Sequence, residues 1–134
     1  MQALQQQRAA FALDQVKAIL KAIPVAERED FKRQAESFPA MIRMNGLGQA
    51  AAFYLSKREK EKDKGARKIN AYERLYLLLS KWLTRQDQPY RGKKDLLAGI
   101  TETDMHAYRL AQAEALLLLD WVKKFAKAFA EEGV

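Results

Sequence analysis

Residues 41–54 read MIRMNGLGQAAAFY, which places Gly46, Gly48 and Ala51 at the spacing G-x-G-x-x-A. That spacing opens a dinucleotide-binding turn, a feature that needs a strand before it, a crossover of about 30 residues and an acid about 20 residues on. The context is missing: SFPAMIRMN before the glycines reads as a short helix, and a charged run follows where a second strand belongs. Asn45 and Gly46 instead suit the left-handed backbone that closes a helix, and Gly48 is expected to let the next helix approach a neighbour closely. The glycines are therefore punctuation between helices. No cofactor is expected.

Working outward, the apolar residues keep a helical period. Leu13, Val16, Leu20 and Ile23 mark a helix from about residue 3 to 23, stopped by Pro24. Phe31, Ala35 and Phe38 mark a second over about 25–36, with Glu27, Glu29 and Asp30 at its positive end. Ser37 and Pro39 read as a fresh start for a helix of a turn or two that contributes Met41 and Ile42. Leu47, Ala50, Ala51, Tyr54 and Leu55 define a helix over about 47–58, with Phe53 off its stripe. Ile69, Tyr72, Leu75, Leu79, Trp82 and Leu83 define another over about 69–85. QDQPYRGKKD then forms a polar turn, and Leu96, Leu97 and Ile100 a short apolar piece. Thr101 and Asp104 have capping-box spacing and introduce a long helix with neither Gly nor Pro before Gly133. Its four leucines, Leu116 to Leu119, point nearly all round the axis and call for cover on most sides.

These readings predict an all-α protein, a compact bundle of about six helices with the long C-terminal helix at its centre. The 134 residues are one domain's length, so a single domain over 1–134 is expected. Residues 57–68, KREKEKDKGARK, hold seven basic and three acidic side chains and cannot bury a face. A mobile charged loop is expected around 59–68.

The chemistry available is narrow. Without cysteine there is neither a disulfide framework nor a thiolate metal site. The single His106 has no partner at ligand or catalytic spacing, so no metal and no enzyme are expected, and it reads as a half-exposed surface residue. The longest aliphatic runs are far shorter than the ~20 residues of a membrane span, and the N-terminus lacks an export pattern, so a cytoplasmic setting is expected. Most aromatics fall on or beside helical stripes, where packing accounts for them; Tyr90, in its turn, is the candidate exception. A net charge of +7 favours an anionic partner, nucleic acid first. The charge is clustered, in 57–68, in the turn with Arg91, Lys93 and Lys94, and on the last helix with Lys123, Lys124 and Lys127. A solvated face and a phosphate-binding face both remain open on composition alone.

PAMIRMNGLGQAAAFYLSK and YRLAQAEALLLLDWVKKFAKA, with QQQRAAFALDQV and YERLYLLLSKWL in the same order, resemble the small helical subunit of the Cmr complex, the type III-B CRISPR RNA-guided effector. The resemblance covers nearly the whole chain. It implies an all-α subunit without nuclease activity, present in several copies that stack beside the guide-bearing backbone subunits and line the path of target RNA in antiviral defence. Within the matching motifs, Arg43, Lys57, Lys123, Lys124, Lys127 and, last in rank, Arg109 are the candidates to meet RNA or a neighbour. Arg58, Lys64, Arg67, Lys68, Arg91, Lys93 and Lys94 join the RNA-binding set on charge alone. Phe53 and Leu77, both off their main stripes, are candidates for contact with other copies or with the backbone subunit. Two other readings stay open: a protein-binding spacer that never meets RNA, and a nucleic-acid-binding helical protein acting alone.

Overall fold

Pro24 disfavours a helical conformation at the residue before it, and Ile23 is extended (φ −100°, ψ 153°), so the first helix, α1 (Leu4–Ala22), stops there. The computed structural model describes residues 2–60 and 67–131. A single 3-10 turn, Val25–Glu27, leads into α2 (Arg28–Asn45). The expected break at Ser37 or Pro39 does not occur: α2 runs straight through Pro39. A proline inside a helix costs about 3 kcal/mol. Here Phe31, Ala35, Phe38, Pro39 and Ile42 form one continuous buried stripe, so the ring itself is part of the packed face that offsets the cost.

Gly46 (φ 88°) closes α2 through its N–H to the Ile42 carbonyl (2.8 Å), a positive φ that glycine alone adopts at no cost. It also opens α3 (Leu47–Ser56), whose first free N–H groups are satisfied from elsewhere in the chain. Leu47 N–H donates to Gln112 Oε1 and Gly48 N–H to the Tyr108 hydroxyl, both at 2.9 Å. Gly48 is not the close-approach glycine expected, since an added Cβ there would meet Ile100 and Tyr108 at an ordinary 3.5 Å.

Asn70 caps α4 (Ala71–Leu83) by accepting from Glu73 N–H (3.1 Å). After the turn that follows, Asp95 caps α5 (Leu96–Glu102) and Asp104 caps α6 (Met105–Phe129). Thr101 is therefore not the start of the long helix. It lies in α5, and the extended Thr103 separates the two.

Among the described residues the chain is six α-helices and one 3-10 turn, without a strand. Helix α6 packs against α1, α2, α3 and α4 and is the hub of the bundle. Its cover is incomplete, however: Leu118 and Leu119 are buried and Leu116 half-buried, but Leu117 is 51% exposed. The expected cover on most sides is therefore present, and the Leu117 side is the one that, among the described residues, no further helix covers. Tyr90 is likewise corrected, being fully buried in the turn after α4. Its ring sits over Gly99, where a side chain would collide with it.

A buried polar network ties three helices. The Arg8 guanidinium of α1 donates to both oxygens of Glu114 on α6, and Trp82 Nε1–H of α4 donates to Glu114 Oε2 (2.9 Å). The hydrogen bond to Glu114 is the largest influence on Arg8 and raises its pKa further.

Candidate nucleic-acid interface

The basic side chains do not form one surface. Lys57, Arg58, Arg67 and Lys68 lie where α3 ends and α4 begins, and all four are engaged within the chain. The Lys57 ammonium lies over the Phe53 ring, 5.3 Å from its centroid, and Arg58 donates to the Leu55 carbonyl (2.9 Å). Arg67 pairs with buried Glu73, and Lys68 with Glu27 at 3.0 Å. That hydrogen bond to Glu27 raises the Lys68 pKa. Lys64 falls outside the described residues.

Arg91, Lys93 and Lys94 follow the other end of α4, Lys93 pairing with Glu102 at 3.2 Å. Arg43, exposed in the last turn of α2, lies towards that same end, because α2 runs antiparallel to α6 and its terminus meets Gln112. Arg109 is exposed on α6.

The third cluster shares a cavity. Lys123, Lys124 and Lys127 on α6, with Glu36 on α2, line an open groove of about 430 Å³. Spacing on the helix explains the grouping, since residues three and four apart stand on one face. Asp120, one turn back, approaches Lys123 (3.9 Å) and Lys124 (3.2 Å). Lys127 has no ion-pair partner among the described residues. Three ammonium groups thus outnumber the carboxylates around the groove.

Lys124 also lines a second cleft, about 210 Å³, between the start of α1 and the middle of α6. Its other walls are Gln5, Arg8, Leu117, Asp120 and Trp121. Trp121 is held in place by a stack that runs down the helix, Trp121 on Phe125 (5.6 Å between centroids, planes at 25°) and Phe125 on Phe129 (6.4 Å, 29°). Lys17 of α1 covers the far end, 5.1 Å over the Phe129 ring. Sequence reading assigned Trp121 to packing and passed over Gln5 and Arg8. The i, i+4, i+8 spacing of the three aromatics was the available signal for one side of this cleft; nothing local pointed to the α1 side.

Phe53 and Leu77 are both partly exposed but belong to different surfaces. Phe53 meets Tyr72 edge-on (6.4 Å), whereas Leu77 lines a mostly apolar groove of about 160 Å³ between α1 and α4 with Ile19, Ile69 and Leu78, shared with Gln15, Arg74 and Lys81. Leu110 (49% exposed) and Leu117 add an apolar strip on the outer face of α6 that sequence reading did not single out. No described helix is long and apolar enough to cross a membrane.

Compared with known proteins, the chain matches the family model described as CRISPR-associated protein (Cas_Cmr5) over residues 4–129. Its fold is similar to the X-ray crystal structure of a CRISPR-associated Cmr5 family protein from Thermus thermophilus, with a TM-score of 0.70 at 24% sequence identity. The match covers 95% of this chain and 97% of that one.

Proposed function

Because the chain belongs to the Cmr5 family of CRISPR-associated proteins, and so to the subunits of the Cmr (type III-B) effector complex, we propose that it is a non-catalytic scaffold that contacts target RNA through basic surface residues. In this reading several copies stack beside the guide-bearing backbone subunits, in the cytoplasm, as part of antiviral defence. The observation that carries the RNA contact is the groove in which Lys123, Lys124 and Lys127 stand together against Glu36. Clustered ammonium groups on a rigid helix hold phosphates without reading sequence, and guide–target base pairing supplies the specificity. Target RNA carrying a photoreactive base, irradiated in the assembled complex, tests it: crosslinks should map to α6 of this subunit, and their absence from the chain contradicts the RNA role.

A second reading has its own support. Leu77, Leu110 and Leu117 are exposed apolar residues of the kind that dock other proteins. A spacer that binds only protein would use these and leave the lysines solvated. The same irradiation separates the two, since a pure spacer crosslinks to other subunits and not to RNA.

A further inference from the structure

We propose that the cleft lined by Gln5, Arg8, Leu117, Asp120, Trp121 and Lys124 is a pocket for one unpaired nucleobase of a single-stranded RNA. This rests on the RNA-binding reading above and makes it specific. At about 210 Å³ the cleft is smaller than the ~300–1,000 Å³ that takes a drug-sized ligand, so it suits a single flat ring system. Its walls supply what a base requires. Trp121 offers an aromatic surface, Leu117 an apolar edge, and the Gln5 carboxamide both a donor and an acceptor. Asp120 can accept from a ring N–H, as in uracil, or from an exocyclic amino group.

Two of the walls are already in position. Phe125 supports Trp121 from the next turn, and the Arg8 guanidinium is fixed through two hydrogen bonds to Glu114. These two side chains have little freedom left to lose on binding. Mixed polar and charged walls around one aromatic are poorly matched to an apolar peptide side chain, which would leave them unpaired.

Lys124 decides the orientation, because it lines both this cleft and the lysine groove. The cleft offers a phosphate only Lys124 beside Asp120, Arg8 being committed to Glu114, whereas the groove offers three lysines against Glu36. The sugar-phosphate backbone is therefore placed on the far side of Lys124, against Lys123 and Lys127, with the base turned inward to Trp121. Base pocket and phosphate groove are two halves of one single-strand site.

The test compares binding of the full chain, by fluorescence anisotropy, to a labelled oligouridylate and to an abasic ribose-phosphate strand of equal length. The uridylate should bind about tenfold more tightly, consistent with stacking on an aromatic side chain. That preference should vanish in Trp121→Ala and survive in Trp121→Phe, which keeps an aromatic ring against Phe125 and guards against a folding artefact. Lys123→Ala with Lys127→Ala should weaken both strands alike. Equal affinity of the native chain for the two strands overturns the pocket while leaving phosphate binding intact. Failure to bind either strand overturns the RNA reading and the pocket with it. If Trp121→Ala keeps the base preference but no longer enters the Cmr complex, the cleft is a protein contact and the proposal is wrong.

Discussion

Arg8 and Glu114, separated by 106 residues of chain, meet as a two-pronged ion pair, Nε to Oε2 at 2.6 Å and Nη2 to Oε1 at 2.8 Å. Both side chains are close to nine-tenths buried, and Trp82 shares the carboxylate. Removing one partner leaves the other charged and desolvated, which costs about 3–5 kcal/mol. Glu114→Ala is therefore expected to lower stability by that amount in a denaturant titration. Arg8→Met with Glu114→Leu is expected to recover only part of it, because the apolar pair leaves no buried charge but strips the buried Trp82 indole N–H of its acceptor, at about 1–3 kcal/mol.

Gly99 is predicted to be the least replaceable glycine of the bundle. A methyl group there would run into the Tyr90 ring and lie 2.9 Å from the Tyr90 Cβ, with no flexible end to move aside. Gly99→Ala should cost about 1–3 kcal/mol through overpacking. In a Tyr90→Ala background the same change should cost much less, and thermal unfolding of the double-mutant cycle measures that coupling.

Alkaline pH is predicted to loosen the fold through its buried phenols. Burial is the main cause that raises Tyr54 and Tyr76 and pushes Tyr90 up to about 12. For Tyr90, Tyr108 adds to the rise, while Thr103, near its hydroxyl but not in hydrogen-bonding geometry, acts the other way. A raised folded-state pKa means that the folded protein holds the proton longer than the unfolded chain. The stability is fully present below pH ~10 and is lost as pH rises towards 12, at about 1.4 kcal/mol per pH unit for each such tyrosine. Tyr90→Phe should flatten the decline between pH 10 and 12 by about one tyrosine's share when unfolding is followed at each pH.

Leu77 projects from α4 beside an open apolar groove, so a charge there should leave the bundle folded. Leu77→Asp is predicted to change the unfolding free energy by less than about 0.5 kcal/mol, as surface changes do. If this groove docks another subunit, incorporation into the reconstituted Cmr complex should fall at least severalfold, read by co-purification.

How much of this was legible beforehand follows from how local each signal is. The helices around Val16, Tyr54, Leu79 and Leu118 were readable because apolar residues at a period of 3.6 report a buried face directly. Pro39 misled because its helix-breaking tendency is local, whereas the stripe from Phe31 to Ile42 that overrides it is a property of the packed bundle. Tyr90 looked like a loop residue until Gly99, nine positions on, supplied the space beneath its ring. Thr101 and Asp104 had the right spacing for a cap, but the aspartate, not the threonine, accepts the α6 N–H. For the site, charge and clustering were visible in Lys123, Lys124 and Lys127. That Lys124 also borders Gln5 and Arg8 was not, because it depends on how α1 lies along α6.

If the lysines of α6 hold RNA by its phosphates, single-strand binding must depend on salt. Each phosphate neutralised contributes a slope of about −0.7 to log K against log salt. The native chain should show a clear negative slope, and joint charge reversal at Lys123, Lys124 and Lys127 should flatten it by roughly 2. A slope that is unchanged by the reversal, or binding that is indifferent to salt in the native chain, rules out phosphate contact by these lysines.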